Sequence, residues 1–409
     1  MHTQFNHLLS VLTITVVAGS LLGSARADDH HENHDRDRDR DPVVLSFSTV
    51  GDSRQDPDNP DPTQLPLSGQ DATWLQSTRA WSRIMDTIHA QKSDLLFFNG
   101  DMIMGYGNAG PAKGTNVSDV VNSDLLKFYR QYAFWRGMVA TLMEHGTYVV
   151  PVPGNHEMQW KKAPLPGGGT GKLAQQVNED AWRANLGDLI LDTNRFQALF
   201  GELPAAVNVT NNAPLDAYAT DQSQLSYSFD FRGCHFVVIN TDPVGHDAHA
   251  PVQWLAVDLA TAKARGARRF FVFGHKPAYT YYFGADVPPA PGLPLPGKPA
   301  GLDNDEAARN AFWDLIEQYG ATYFCGHEHI FNAMQPRAST GGKAWQILVG
   351  SGGSPFEAVP TDATINPATD RDYAWATVKI HASGKVQVKV YGFDDQFGPT
   401  RLLQAITLP

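Results

Sequence analysis

Five short segments of the chain place a glycine directly before residues that can bind metal ions or phosphate. They are GDSR at 51–54, GD at 100–101, GNHE at 154–157, GH at 274–275 and GHEH at 326–329. Their carboxylate, amide and imidazole groups, without thiolate, suit Mn, Fe, Zn or Mg ions. One Gly-Asp pair is a common turn, whereas five such segments in one chain indicate a shared metal-binding site.

Each segment follows a run of apolar residues that predicts a buried strand. These runs cover residues 43–47, 94–98, 148–150, 269–273 and 322–325. Open α/β sheets bind ligands at the C-terminal ends of their strands, and a glycine there lets the chain turn sharply or approach an ion closely. Helical spacing between the runs, as at Trp81, Ile84 and Ile88, predicts a repeated strand–helix–strand order.

Two hairpins of alternating apolar and polar residues indicate a second sheet. They pair residues 225–231 with 234–239 and residues 374–380 with 386–390. Cys234 and Cys325 both lie in apolar runs, so we expect them to be buried and reduced rather than bridged.

Long segments rich in Gly or Pro leave the strand ends, and we expect loops there that determine specificity. They are residues 105–122, 160–172 and 279–302. The aromatic cluster at 279–283 either packs its loop onto the body of the protein or stacks on an aryl or nucleobase group of a substrate.

In order and spacing, the five segments resemble the calcineurin-like metallophosphoesterase superfamily. The pattern of that superfamily runs D-x-H, G-D, G-N-H-[DE], a lone His and G-H-x-H. The VFGH segment at 272–275 also resembles the V-x-x-H of purple acid phosphatases. The resemblance implies an α/β fold, a four-layer α/β/β/α sandwich of two packed mixed β-sheets flanked by helices.

The resemblance also implies two metal ions, either both divalent or one Fe(III) with one divalent ion, drawn from Mn, Fe, Zn or Mg. The implied ligands are Asp52, Asp101, Asn155, His275, His327 and His329. Asp101 would bridge the ions, Asp52 and His329 would bind the first, and the other ligands would bind the second. His156 would face the phosphoryl group of the substrate, and Glu157 would orient His156.

One position departs from this pattern, because Arg54 stands where the superfamily has a metal-binding histidine. Purple acid phosphatases also lack that histidine, but they carry a tyrosine three residues after the bridging aspartate, where this chain has Met104. The first ion is then short of one ligand, completed by water or Tyr106, or only partly present. Arg54 either clamps a phosphate oxygen with its planar fork or pairs with a carboxylate of the site.

These residues predict a phosphoesterase in which a metal-bound hydroxide attacks a small phosphate ester, with His156 as the acid or electrostatic partner. The leading hypothesis is a phosphomonoesterase of the acid-phosphatase type. One alternative is a phosphodiesterase that acts on nucleotides or phospholipid headgroups. Another, which Arg54 permits, is a non-catalytic secreted metal-binding protein on the same fold.

Composition predicts which partners the protein can have, and the N-terminal residues predict its location. A formal net charge of −11 argues against long nucleic acid as a partner. Residues 1–27 resemble a signal peptide, with an apolar run too short for a stable membrane span and the cleavage pattern Ala25-Arg26-Ala27. Residues 28–41 predict a disordered linker of Asp, His and Arg, and residues 42–409 predict one catalytic domain. We therefore expect export to the periplasm or the medium; the oligomeric state stays open.

Overall fold

The computed structural model describes residues 41–54, 78–281, 300–356 and 371–409. The predicted signal peptide and almost all of the predicted linker lie outside the described residues, so these domain boundaries stay predictions. The chain from Pro42 to Pro409 forms one compact unit. In the described ranges, no helix has both the length and the apolar character that a bilayer span requires.

Strands make up most of the regular structure in the described residues. In chain order they are β1 (Val43–Val50), β2 (Leu95–Phe98), β3 (Tyr148–Pro151), β4 (Gln159–Pro164), β5 (Thr170–Ala174), β6 (Ala205–Asn208), β7 (Tyr227–Phe231), β8 (Cys234–Val238), β9 (Arg269–Phe273), β10 (Thr322–Cys325), β11 (Phe331–Met334), β12 (Gln346–Val349), β13 (Tyr373–His381), β14 (Val386–Phe393) and β15 (Arg401–Leu408).

The α-helices of the same residues connect these strands. They are α1 (Thr78–Gln91), α2 (Val117–Val121), α3 (Asp124–Glu144), α4 (Asn155–Met158), α5 (Gln176–Leu186), α6 (Thr193–Phe200), α7 (Val252–Arg265) and α8 (Glu306–Tyr319). Helix α1 buries Trp81, Ile84 and Ile88 on one face, as their spacing predicts.

The strands form two large mixed sheets and one separate hairpin. The first sheet has the order β15-β14-β13-β1-β2-β3, and the second has the order β11-β12-β10-β9-β8-β7-β6. Strands β1, β2 and β3 run parallel to one another, as do β8, β9, β10 and β12. The carboxyl ends of the motif-bearing strands therefore share one edge in each sheet.

Phenylalanine side chains hold the two sheets together. Phe47 of β1 is fully buried and makes edge-to-face contacts with five rings from both sheets. Their centroid distances are 5.4 Å to Phe97, 5.7 Å to Phe236, 5.1 Å to Phe271, 5.7 Å to Phe273 and 5.7 Å to Phe324. A second apolar cluster packs α7 and α8 onto the second sheet. The architecture is the predicted layering of helices and two sheets. The two predicted hairpins do not form a second sheet of their own, because β13 and β14 join the first sheet and β7 and β8 join the second.

Two predictions about details of the chain can be compared with this structure. Cys234 and Cys325 are buried free thiols, as expected. The region at 160–172, in contrast, is not the irregular loop that its Gly and Pro content predicts, because β4 and β5 pair there as an antiparallel hairpin. The residues on both sides of the Gly-rich turn pair through their backbones, and this pairing outweighs the preference of Gly and Pro for irregular structure.

Candidate metal centre

The candidate site lies where β1, β2, β3, β9 and β10 end. Backbone hydrogen bonds connect these ends, for example from the N–H of Asp52 to the carbonyl of Gly100 (3.0 Å) and from the N–H of Gly326 to the carbonyl of His275 (2.9 Å). Space is tight, because a Cβ on Gly154 would lie 2.4 Å from the backbone nitrogen of Asp101. The glycines are thus required so that the strand ends can approach one another.

Three of the predicted ligands have a backbone conformation that non-glycine residues seldom adopt. The φ angles are 61° at Asp52, 54° at Asp101 and 75° at His327. Such left-handed residues cost free energy and cluster at functional sites, where the surrounding structure holds them in place.

One group of donor atoms converges on the Nε2 atom of His275. Asn155 Oδ1 lies 2.8 Å from it, Asp101 Oδ1 3.2 Å and His327 Nδ1 3.2 Å. The Nδ1 of His275 lies 2.8 Å from the carbonyl of Asn99, which only accepts hydrogen bonds, so Nδ1 carries a proton and the lone pair of the neutral ring lies on Nε2. Oxygen and nitrogen donors that converge in this way fit a metal ion.

The charges in the site favour a cation at the same place. Burial raises the pKa of Asp52 well above its usual value. Burial acts in the same direction on Asp101, but the imidazoles of His156 and His275 hold the pKa of Asp101 well below its usual range. Burial lowers the pKa of His275, yet Asp101 and Asp52 raise it to about 10. The two carboxylates thus stabilise positive charge beside His275, which is what a bound ion supplies.

The donors predicted for a first ion have a different environment. Asp52 Oδ1 lies 3.6 Å from His329 Nε2, and single donor atoms of Asp52, Asp101 and His275 all lie within 4.8 Å of one another. The guanidinium of Arg54 enters this position, with its Nη2 3.1 Å from His329 Nε2 and its Nε 3.5 Å from Asp101 Oδ2. Of the two alternatives for Arg54, the structure shows contact with a site carboxylate.

His156 is buried at the edge of the same cluster. Its Nδ1 donates to the carbonyl of Met104 (2.6 Å), and its Nε2 lies 3.6 Å from Asp101 Oδ2. The ring of Tyr106 lies over it at a centroid distance of 3.6 Å. Burial and the charge of Arg54 hold the pKa of His156 well below its usual value.

The prediction that Glu157 orients His156 is wrong, because the carboxylate of Glu157 binds backbone groups instead. Its Oε2 accepts the N–H groups of Asp101 (2.9 Å) and Gly154 (2.8 Å), and its Oε1 accepts those of Met102 (2.8 Å) and Ile103 (3.1 Å). The carbonyl of Met104 takes the role that was expected of Glu157, because it fixes the proton of His156 on Nδ1.

Tyr106 lies beside the site but on the side of Asn155. Its hydroxyl accepts a hydrogen bond from Asn155 Nδ2, which leaves Oδ1 of the amide directed at His275. Burial raises the pKa of Tyr106 well above its usual value, so the hydroxyl stays neutral. Tyr106 therefore orients a predicted ligand in this structure.

Two lysines near the site have no motif of their own. Lys276 is buried directly after His275, and its Nζ lies 2.6 Å from both Asp242 Oδ1 and Asp247 Oδ1. The exposed Lys172, on β5, places its Nζ 4.7 Å from the centroid of the Tyr106 ring. The sequence could have indicated Lys276, because it directly follows the motif residue His275. Lys172 reaches the site only because β4 and β5 form a hairpin.

The described part of the aromatic cluster at 279–283 packs onto the protein. The ring of Tyr279 meets that of Trp313 edge to face at 5.3 Å, and the guanidinium of Arg309 lies over the Tyr279 ring at 4.1 Å. Tyr282 and Phe283 lie outside the described residues. For Tyr279, packing is the alternative that the contacts support.

Comparison with known protein families covers four of the five motif segments, all except residues 51–54. The family model for calcineurin-like phosphoesterases matches residues 71–331. A purple acid phosphatase, PPD1, from yellow lupin (Lupinus luteus) seeds is 14% identical with a TM-score of 0.51, over 90% of this chain and 54% of that one. This chain therefore spans about half the length of the lupin protein.

Two further solved structures are more distant. A dimetal phosphatase from Danio rerio is 12% identical (TM-score 0.43, 90% of this chain and 99% of that one), and GAP50 of Plasmodium is 10% identical (TM-score 0.40, 89% and 90%). No curated protein sequence matches the chain. The family match covers more than half of the chain, and the protein belongs to the calcineurin-like phosphoesterase family, a class of phosphoric ester hydrolases.

Proposed function

We propose that this protein is an exported, metal-dependent phosphoesterase that hydrolyses small phosphate esters and prefers monoesters. The observation that carries the proposal is the convergence of Asp101, Asn155 and His327 on the Nε2 of His275. When bound there, a metal ion would supply Lewis acidity to phosphoryl oxygens and make a water molecule more acidic. The sequence of residues 1–27 supports export.

The residues around this position have separate tasks. Asp101 and His275 would hold the ion, and Tyr106 turns the Asn155 amide so that its oxygen is directed at His275 and could serve as a further ligand. His156, with its proton fixed on Nδ1, keeps Nε2 able to exchange a proton with the substrate. In the neutral ring Nε2 carries no proton, so it would first accept one from the attacking water and then pass it to the departing alkoxide.

Positive groups at the site support a preference for monoesters. The guanidinium of Arg54 lies within the donor cluster, and the amine of Lys172 lies at its rim over the ring of Tyr106. A phosphate monoester carries up to two negative charges near neutral pH and a diester carries one, so fixed cations favour the monoester.

The proposal is tested by hydrolysis of para-nitrophenyl phosphate and its bis-ester by chelator-treated protein, with Mn, Zn, Fe or Mg added back singly. We expect at least one ion to restore cleavage, with the monoester cleaved faster. His275→Ala should abolish the restored activity, because it removes the atom on which the donors converge.

The matched control is His145→Ala, at the exposed C-terminal end of α3, which should keep full activity. Faster cleavage of the bis-ester would replace the monoesterase proposal with a diesterase. Silence with every ion would favour a metal-binding protein without catalysis.

A further inference from the structure

We propose that the guanidinium of Arg54 replaces the first metal ion, so that this family member binds one ion where the resemblance implies two. The inference rests on the proposed function only in placing the metal centre at His275. It starts from the first motif, where Arg54 stands two residues after Asp52 in place of a histidine that would bind metal. An arginine side chain offers only donors and no lone pair for an ion.

The contacts of His329 show how the first position is used. Its Nδ1 lies 2.7 Å from the carbonyl of Pro355, and because a carbonyl only accepts, Nδ1 carries the proton. The lone pair is therefore on Nε2, which accepts from Nη2 of Arg54 at 3.1 Å. The lone pair that the resemblance assigns to the first ion is thus already bound to a cation.

The same guanidinium also contacts Asp101, the carboxylate that the resemblance places between the two ions. Its Nε lies 3.5 Å from Oδ2 of Asp101, while Oδ1 of Asp101 is directed at His275. Asp101 thus lies between one metal position and one guanidinium, where the resemblance implies two metal positions. Two of the three donors that remain for a first ion are in contact with Arg54.

The position of Arg54 is fixed by its backbone as well as by its side chain. Its N–H donates to the carbonyl of Asp101 (3.1 Å), and its carbonyl accepts from the hydroxyl of Ser354 (3.3 Å). The residue is 8% exposed, so its charge lies inside the cluster and is poorly screened by solvent. A divalent ion at the first position would meet this buried positive charge at close range and be repelled.

The second position lacks these obstacles. Asp101 Oδ1, Asn155 Oδ1 and His327 Nδ1 surround His275 Nε2 without a guanidinium among them. The expected centre therefore has one ion held by these donors and one permanent guanidinium beside it. The planar fork of arginine suits phosphoryl oxygens, so Arg54 can still stabilise the charge of the substrate.

The test counts ions, independently of activity. Chelator-treated protein is loaded with Mn and freed of excess, Mn per chain is measured by elemental analysis, and the coupling between ions is read by electron paramagnetic resonance. We expect about one Mn per chain in the wild type, with the spectrum of an isolated ion. Arg54→His, which restores D-x-H, should bind about two, with an exchange-coupled spectrum.

Arg268→His, at an exposed position before β9, is the matched control and should stay at one ion. If Arg54→His does not fold, Arg54→Gln removes the charge and should bind a second Mn more tightly than the wild type does. Two coupled ions in the wild type would overturn the inference. The inference would also be overturned if neither Arg54 variant bound a second Mn more tightly than the wild type does. No Mn in the wild type would overturn the proposed function as well, whereas one ion without hydrolysis would overturn only the function.

Discussion

The carboxylate of Glu157 joins the backbone of the second motif to the backbone of the third. It accepts four backbone N–H groups, from Gly154 on one loop and from Asp101, Met102 and Ile103 on the other. Burial and the neighbouring Asp101 raise the pKa of Glu157 to about 7, while the N–H donors act in the opposite direction. Glu157 thus positions the backbone that carries Asp101.

Replacing Glu157 with Gln should therefore destabilise the protein. The amide nitrogen of Gln cannot accept a hydrogen bond, so two buried N–H groups lose their acceptor, at a cost of roughly 2–4 kcal/mol in the free energy of unfolding. Chemical denaturation measures this difference. Glu144→Gln, on an exposed position of α3, is the control, and equal stability of the two variants would contradict the assigned contacts.

The identity of these site residues was readable from the sequence, but their partners were not. Gly before each predicted ligand and an apolar run before each Gly point to Asp101, Asn155 and His275, and the structure brings these three side chains together. The acceptor for the proton of His156, the carbonyl of Met104, lies 52 residues away in the chain and carries no side-chain signal. Hydrogen bonds to backbone carbonyls depend on how loops meet, and residue types do not encode that directly.

At the scale of elements, glycine has opposite effects in a strand-end turn and in a helix. Gly154 ends the turn between β3 and α4, where an added Cβ would lie 2.4 Å from Asp101 N and 2.7 Å from Glu157 Oε2. Gly137 lies on an exposed face of α3, where an added Cβ would meet no atom within 4 Å.

Alanine at these two glycines should shift stability in opposite directions. Gly137→Ala should raise the free energy of unfolding by about 0.5–1 kcal/mol, because Ala loses less backbone entropy in a helix. Gly154→Ala should lower it by about 1–3 kcal/mol through overpacking. It should also weaken Mn binding by on the order of 10-fold, because the displaced Asp101 backbone carries a ligand. Denaturation and Mn titration test both, and a stabilising Gly154→Ala would contradict the crowded turn.

The hairpins illustrate how far element prediction reaches. Alternation of apolar and polar residues correctly predicted that β7 pairs with β8 and β13 with β14, although β8 is buried along its whole length. The hairpin of β4 and β5 was missed because its burial alternates weakly and its tip is rich in glycine. That hairpin carries Lys172 to the rim of the site, so the missed element and the missed residue have one cause.

On the scale of the whole molecule, a buried carboxyl group links folding to pH. Asp372, just before β13, is 1% exposed, and its Oδ2 has no hydrogen-bond partner among the described residues. Burial raises its pKa to about 7, with Asp394 and Asp395 adding to the effect, although Arg401 lies 2.9 Å from Oδ1 and opposes it.

The pKa of Asp372 predicts a loss of stability with rising pH. In the unfolded chain this group loses its proton near pH 4, whereas in the folded protein it keeps the proton up to about pH 7. Between these values the folded state binds more protons, so the contribution of Asp372 to stability falls as pH rises. Asp372→Asn should lack this component, so its stability relative to the wild type should rise from pH 4 to pH 7 and stay level above. Denaturation at each pH measures the difference, and a constant difference would contradict the raised pKa.

The two thiols of the second sheet lie at opposite ends of β8 and β10, the two strands that flank β9. Cys234 begins β8, far from the metal centre, and Cys325 ends β10, directly before the GHEH segment. Burial raises the pKa of Cys234 to about 12 and that of Cys325 well above its usual value, so neither forms a reactive thiolate in the native state. Alkylation of either thiol requires its end of the sheet to open. The chain thus contains two native probes of local unfolding, and the labelling rate of Cys325 relative to Cys234 reports how firmly the catalytic end is held.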